Sequence, residues 1–255
     1  MENSNNNRSA LIAGSALVIA AIIGSVSFYQ AKRPVDTLAV TGSAEKIVSS
    51  DVAKWTSNVS RNADSASLKT ASEQIKKDIA ATRDYFRTSG IKDEEMTVNP
   101  VMVSPVCENQ GNVMYDKFGN QTCGSGKPFG YSLQQTIVID STDVKKVTDL
   151  SQKAPSALIA KDIIFSSQNL EYYYSKLNEL KIELTGAATK DAEARAAKIG
   201  EATNTQIGVL QSASLGVVQV TAKNSAEVSD YGAYDTTALE KKVTAVVKAA
   251  FVINR

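Results

Sequence analysis

The sequence predicts an α+β fold: a mainly antiparallel sheet with helices packed on one side, preceded by one N-terminal transmembrane helix. Three observations predict it. The β-type stretches come mostly in pairs about short turns, as antiparallel hairpins do. Two long runs keep an apolar spacing of three and four residues. Residues 10–28 carry no charge at all.

The elements follow in chain order. A polar tail at 1–9 leads into Ala10–Phe28, about 28 Å long as a helix, against a hydrocarbon core of roughly 30 Å. An uncleaved anchor is the first reading. A cleavable signal peptide competes, with Ser25-Val26-Ser27 as small residues, but the run exceeds a usual signal core and lacks an A-x-A site. A buried core helix ranks third, because an apolar surface on every side suits lipid better than a single packed face. Arg8 and the terminal amine on one side nearly balance Lys32-Arg33 on the other, so positive charge alone does not set the orientation. A linker at 29–36 follows, where Pro34 stops the helix, and an extracytoplasmic domain is expected over 37–255.

Within that domain two β-type stretches flank Ser49-Ser50-Asp51 and read as a hairpin, with Ala53, Trp55, Ser57 and Val59 sharing one face. Leu68, Ala71, Ile75, Ile79, Thr82 and Phe86 then keep a helical step, with Glu73 and Lys77 at i, i+4 and Gly90 placed to end the run. The stretch EEMTVNPVMVS and the stretch GYSLQQTIVID read as a second strand pair straddling a polar excursion. A short helix opening near Ser141 and Thr142, a β-like KDIIFSS, a helix within Asn169–Thr203 and two closing strands complete the pattern. The alanines at 188, 192 and 196 would let that long helix lie close to a sheet. In the last strand Val243, Ala245, Val247, Ala249, Phe251 and Ile253 share a face, and a soft loop, KNSAEVSDYGAYDTTALE, precedes it.

Composition removes several functions. The chain has 255 residues, 43% apolar, and its 28 basic and 27 acidic side chains leave a formal charge of +1. No broad electropositive face for nucleic acid is implied. There is no histidine, which withdraws the commonest general base, the usual metal ligand and every Ser-His or Cys-His pair. No catalytic, cofactor or metal site is therefore assigned.

Both cysteines, Cys107 and Cys123, lie in the polar excursion. Two cysteines without histidine supply half of a zinc site, and a redox motif would place them three positions apart. The GSGK within the excursion fails as a phosphate loop, because Gln121 stands where the first glycine belongs and Pro128 follows Lys127. A disulfide closing the insertion at 104–129 remains, with two unpaired thiols as the alternative, and it implies an oxidising compartment. Asp93-Glu94-Glu95 fits a solvated turn better than a calcium site or an acid/base pair. Tyr172, Tyr173 and Tyr174 are read as the start of a helix, so at least one ring faces away from the sheet and is a candidate subunit contact. Trp55 is a candidate core or interface aromatic.

These residues resemble a family. The export-type segment, VTGSAEKIVSSDVA, GIKDEEMTVNPVMV, GYSLQQTIVI, ATKDAEARAAKIGEATNTQIGVL and the closing Val/Ala strand are similar, in order and spacing, to the SIMPL domain (DUF541) family. That family includes a periplasmic and outer-membrane-associated Brucella antigen and its enterobacterial relatives. The resemblance implies an α+β domain outside the cytoplasm, ring-like homo-oligomers, and links to the cell envelope and oxidative stress. It carries over no catalytic residue. The anchor and the cysteine-bearing insertion depart from the family pattern. The expected function is a structural or scaffolding homo-oligomer held at the bacterial inner membrane through residues 10–28, facing the periplasm. A periplasmic binding module for a small molecule, metal or exported protein is the alternative.

Overall fold

The computed structural model describes residues 3–31, 36–107, 113–115, 117, 119, 121–124, 128–225, 229 and 231–254, with side chains from 14 onward apart from 29–31 and 113. Residues 1–2, most of the linker at 32–35, Asn120 and the Ser-Gly-Lys of the GSGK stretch lie outside the described residues. The elements are α1 (Asn3–Ala31), β1 (Thr37–Ser49), β2 (Val52–Ala63), α2 (Leu68–Thr88), β3 (Met96–Val98), β4 (Met102–Val106), β5 (Val113–Tyr115), β6 (Gln121–Cys123), β7 (Gly130–Ser141), α3 (Val144–Ile159), β8 (Ile164–Tyr173), α4 (Leu177–Thr203), β9 (Gln206–Leu215), β10 (Gln219–Ala222) and β11 (Glu240–Asn254). The fold is α+β with antiparallel strand pairing, as expected. The single sheet is corrected to two larger sheets and a two-stranded ribbon.

Two compact units are formed, one from Met1–Ser43, Ala188–Leu215 and Val247–Arg255, the other from Ala44–Ala187 and Gly216–Val246. In the larger unit the strands run β3-β7-β2-β8, with β4 also on β7. The inward residues of β2 and β7 alternate strictly, so Trp55, Val59, Leu133, Ile137 and Ile139 form one apolar face. On that face lie Ile75, Ile79 and Phe86 of α2 and Val147, Ala154 and Leu158 of α3, which recur at helical steps. A second cluster of the same unit joins Val48, Leu180, Leu184, Val220, Val243 and Ala245.

In the smaller unit Val40, Ala192, Ala196, Ala249 and Phe251 form the core. The alanines of α4 do what their size allows: the helix backbone lies so near β1 that a Cβ on Gly42 would meet backbone atoms of Ala188 and Ala192. Asp191 then reaches across to accept the Ser43 N–H at 2.8 Å while pairing with Arg195 one turn on.

Three local expectations are corrected. The first two strands are not a hairpin: β2 pairs with β7 on one edge and β8 on the other, which leaves no edge for β1, and β1 pairs with β11. The tyrosine run does not open a helix: Tyr172 and Tyr173 close β8, Tyr174 follows it, and α4 begins only at Leu177. The soft loop before β11 is partly fastened, with Tyr234 bridging to Val220 of β10 and Tyr172 donating its N–H to Thr236 at 2.7 Å.

The helix α1 forms where the anchor was expected. Among the described residues no helix is long and apolar enough to cross a membrane.

Candidate functional site

The excursion leaves the larger unit's sheet after β4 and returns at β7. Val106 pairs with Gly130, and Phe129 donates its N–H to the Val106 carbonyl at 2.9 Å, so exit and re-entry are adjacent. Cys107 and Cys123 are bonded, with Cα atoms 5.6 Å apart and a sequence separation of 16. The disulfide ties the sheet end to β6, which pairs with β5 as a ribbon. Closing a loop of this size contributes about 3 kcal/mol in the chain-entropy model. Alkylation followed by intact mass is expected to find no free thiol without reductant and two with it. Reduction is expected to lower the unfolding free energy by about 3 kcal/mol, read from urea melts with and without reductant.

Trp55 is fully buried. Its ring meets Phe86 and Phe165 edge-on, at centroid distances of 5.4 and 5.9 Å, and its indole N–H donates to the Ser167 hydroxyl at 2.9 Å. Nothing of it is left for a subunit contact. Tyr172 is buried too, its hydroxyl 3.0 Å from that of Thr148. Tyr173 is half-buried beside Tyr234, and burial, then the Glu171 charge, raises its phenol pKa. Tyr174 packs against the second core cluster. The ring that stands out is one that the spacing did not single out, Tyr231 in the segment before β11, almost wholly exposed.

That segment is pinned by a buried lysine. The Lys241 ammonium donates to the carbonyls of Asp235 and Ala238 at 2.6 and 2.7 Å, and its side chain is out of contact with water. Burial lowers its pKa, opposed by the nearby Asp235 charge. The Ala238 N–H, with the N–H and hydroxyl of Thr237, holds the Asp235 carboxyl below its usual range. The signal for this cage was in the sequence: Lys241 has the same parity as Val243 and Ala245, so the alternation that buries them buries it.

The Asp93-Glu94-Glu95 turn is a short 3-10 helix spent on internal pairs. Asp93 accepts from Arg83 and Arg87, and Glu95 accepts from the Lys92 N–H and the Ser141 hydroxyl. Among the described residues no group of three or more Cys, Asp or Glu side chains is placed to hold a metal ion.

The strand β9 has an open edge among the described residues. It pairs with β11 along one edge, with two register shifts, and its other edge meets no strand among the described residues. Val209 is 76% and Leu215 55% exposed. Edge strands are normally blocked by charge or proline, yet Gln206–Leu215 contains neither.

Comparison with curated proteins gives no match. A family model described as SIMPL, a protein of unknown function (DUF541), matches residues 38–251. That span starts after α1 and runs from within β1 to within β11. The chain belongs to the SIMPL (DUF541) family.

Proposed function

We propose that this protein is a scaffolding homo-oligomer of the bacterial envelope, ring-like and without catalytic activity, held at the inner membrane by residues 10–28 with its SIMPL domain in the periplasm. The observation that carries the reading is the unblocked edge of β9. An open edge presents a row of unpaired backbone donors and acceptors to a strand of another copy, and the apolar side chains beside it lose water on contact. The anchor rests on the charge-free run and on the apolar residues of α1: Leu17, Ile19, Ile23 and Phe28 are all exposed, as lipid-facing side chains are. The disulfide suits an oxidising compartment. A part in stress protection rests on the family resemblance alone.

The test uses the full chain in a mild detergent. Light scattering is expected to give a mass several times that of one chain at micromolar concentration. The double substitution Val209→Lys with Leu215→Lys, which puts charge on the edge, is expected to shift it toward the monomer without altering the melting temperature. A wild-type monomer at that concentration overturns the scaffold reading. A reporter fused after Arg255 that proves cytosolic overturns the placement.

A further inference from the structure

A cleft of about 590 Å³ opens at one end of the larger unit's sheet, within the size range of small-molecule sites. It is built where three strands end together. Ala63 closes β2 opposite Tyr131 of β7, and Val106 closes β4 opposite Gly130. The strands approach so closely here that a Cβ on Gly130 would lie 2.7 Å from the Ala63 carbonyl oxygen, so the backbone itself forms the floor. Above it stand Val106, Phe129 and Tyr131. Phe129 is 77% exposed, an unusual position for a phenylalanine already fixed by its N–H bond to Val106.

The lining also includes the polar residues Asn62, Asp64 and Ser67. The Ser67 N–H and hydroxyl both donate to Oδ1 of Asp64, at 2.7 and 2.6 Å. The Ser67 hydroxyl, with the N–H groups of Ser67 and Ala66, holds the Asp64 carboxyl below its usual range. The carboxylate is therefore both oriented and ionised across the physiological range. Asp64 is also the one formal charge among the described lining residues. The wall favours a cation as well, because the faces of Phe and Tyr rings attract ammonium groups.

We propose that this cleft binds a small organic cation, a protonated amine on an aromatic or apolar body, with the body against Val106, Phe129 and Tyr131 and the ammonium toward Asp64. An anion would meet the Asp64 charge and gain no compensating base among the described lining residues. A neutral molecule of the same shape would keep the apolar contact and lose the ionic one. The proposal goes beyond the scaffold reading and does not depend on it, since no residue of β9 takes part.

The experiment is isothermal titration of the full chain in a nonionic detergent with three probes of similar size: phenethylammonium, 2-phenylethanol and phenylacetate. Phenethylammonium is expected to bind about tenfold more tightly than the alcohol, and phenylacetate most weakly. Asp64→Asn keeps the shape and removes the charge, and is expected to bring the amine down to the level of the alcohol. Phe129→Leu keeps an apolar contact and removes the ring, and is expected to weaken the amine more than the alcohol. Both positions are exposed enough for the variants to keep the wild-type melting temperature, which is checked alongside. Equal or tighter binding of phenylacetate, an Asp64→Asn variant that binds the amine as wild type does, or no heat from phenethylammonium at millimolar concentration each overturns the proposal. Failure here leaves the oligomeric mass, and so the scaffold reading, untouched.

Discussion

Gly42→Ala, the smallest change that adds a side-chain atom to β1, is expected to destabilise the protein severely. The added Cβ would lie within 3.0 Å of backbone atoms of Ala188 and Ala192, including the Ala192 Cα at 2.8 Å. Those atoms belong to α4, and a helix backbone cannot rotate aside as a side chain can. Ordinary overpacking of a core costs about 1–3 kcal/mol, and the cost here is expected at the upper end or above. At about 2–4 °C per kcal/mol for a domain of this size, the melting temperature should fall by about 10 °C. Gly186→Ala is the control within the same helix: nothing lies within 4 Å of its added Cβ. It should stabilise by about 0.5–1 kcal/mol through helix propensity alone. Melting of Gly42→Ala within a degree of wild type would show that β1 and α4 are not packed as described.

Asp78→Ala is the second large effect. Asp78 lies on the buried stripe of α2, its side chain 4% exposed, where an apolar residue would be the usual occupant. It is kept there by Arg61 of β2, whose Nε and one terminal nitrogen donate to the two carboxylate oxygens as a fork. Gln74 adds a third donor, and the same guanidinium caps the Asp162 carbonyl. Asp162 stands in a left-handed turn at φ 60°, so the cluster holds the entry to β8 as well. Removing the carboxylate leaves the Arg61 charge unpaired in a partly buried site, which costs about 3–5 kcal/mol. The double variant Arg61→Leu with Asp78→Leu removes both charges and is expected to lose less than Asp78→Ala alone. Urea denaturation of the wild type, Arg61→Leu, Asp78→Leu and the double variant checks this as a cycle. Additive losses would mean that the pair is not coupled.

The sequence reading and the structure part company at identifiable places. Strand and helix positions were legible because period sets them: β2, β7 and β11 alternate, and α2 repeats at three and four. The pairing of those strands was not. A short turn at Ser49-Ser50-Asp51 suggests a hairpin, but pairing depends on which edges remain open, and β2 has both edges taken by β7 and β8, far along the chain. The tyrosine run was misplaced by a few residues because aromatic residues suit strand ends and helix starts alike, and only the long strand β8 decides between them. Asp78 was invisible as a site because nothing in its neighbourhood of sequence names Arg61 as partner. The cleft was beyond reach for the same reason, being assembled from Asp64, Val106 and Phe129 on three separate segments. The disulfide was legible from count, spacing and context.

The pairing of β1 with β11 has a consequence for how the chain acquires its structure. The strand made first waits for the strand made last, so the sheet they share cannot form until synthesis has passed Glu240 and the C-terminal segment is free to move. Contacts so distant in sequence slow the search for the native state. During that delay β1 remains an unsatisfied edge, open to wrong neighbours. A chain cut short before β11 would lack this neighbour for good, and would be a substrate for proteases rather than a smaller working domain.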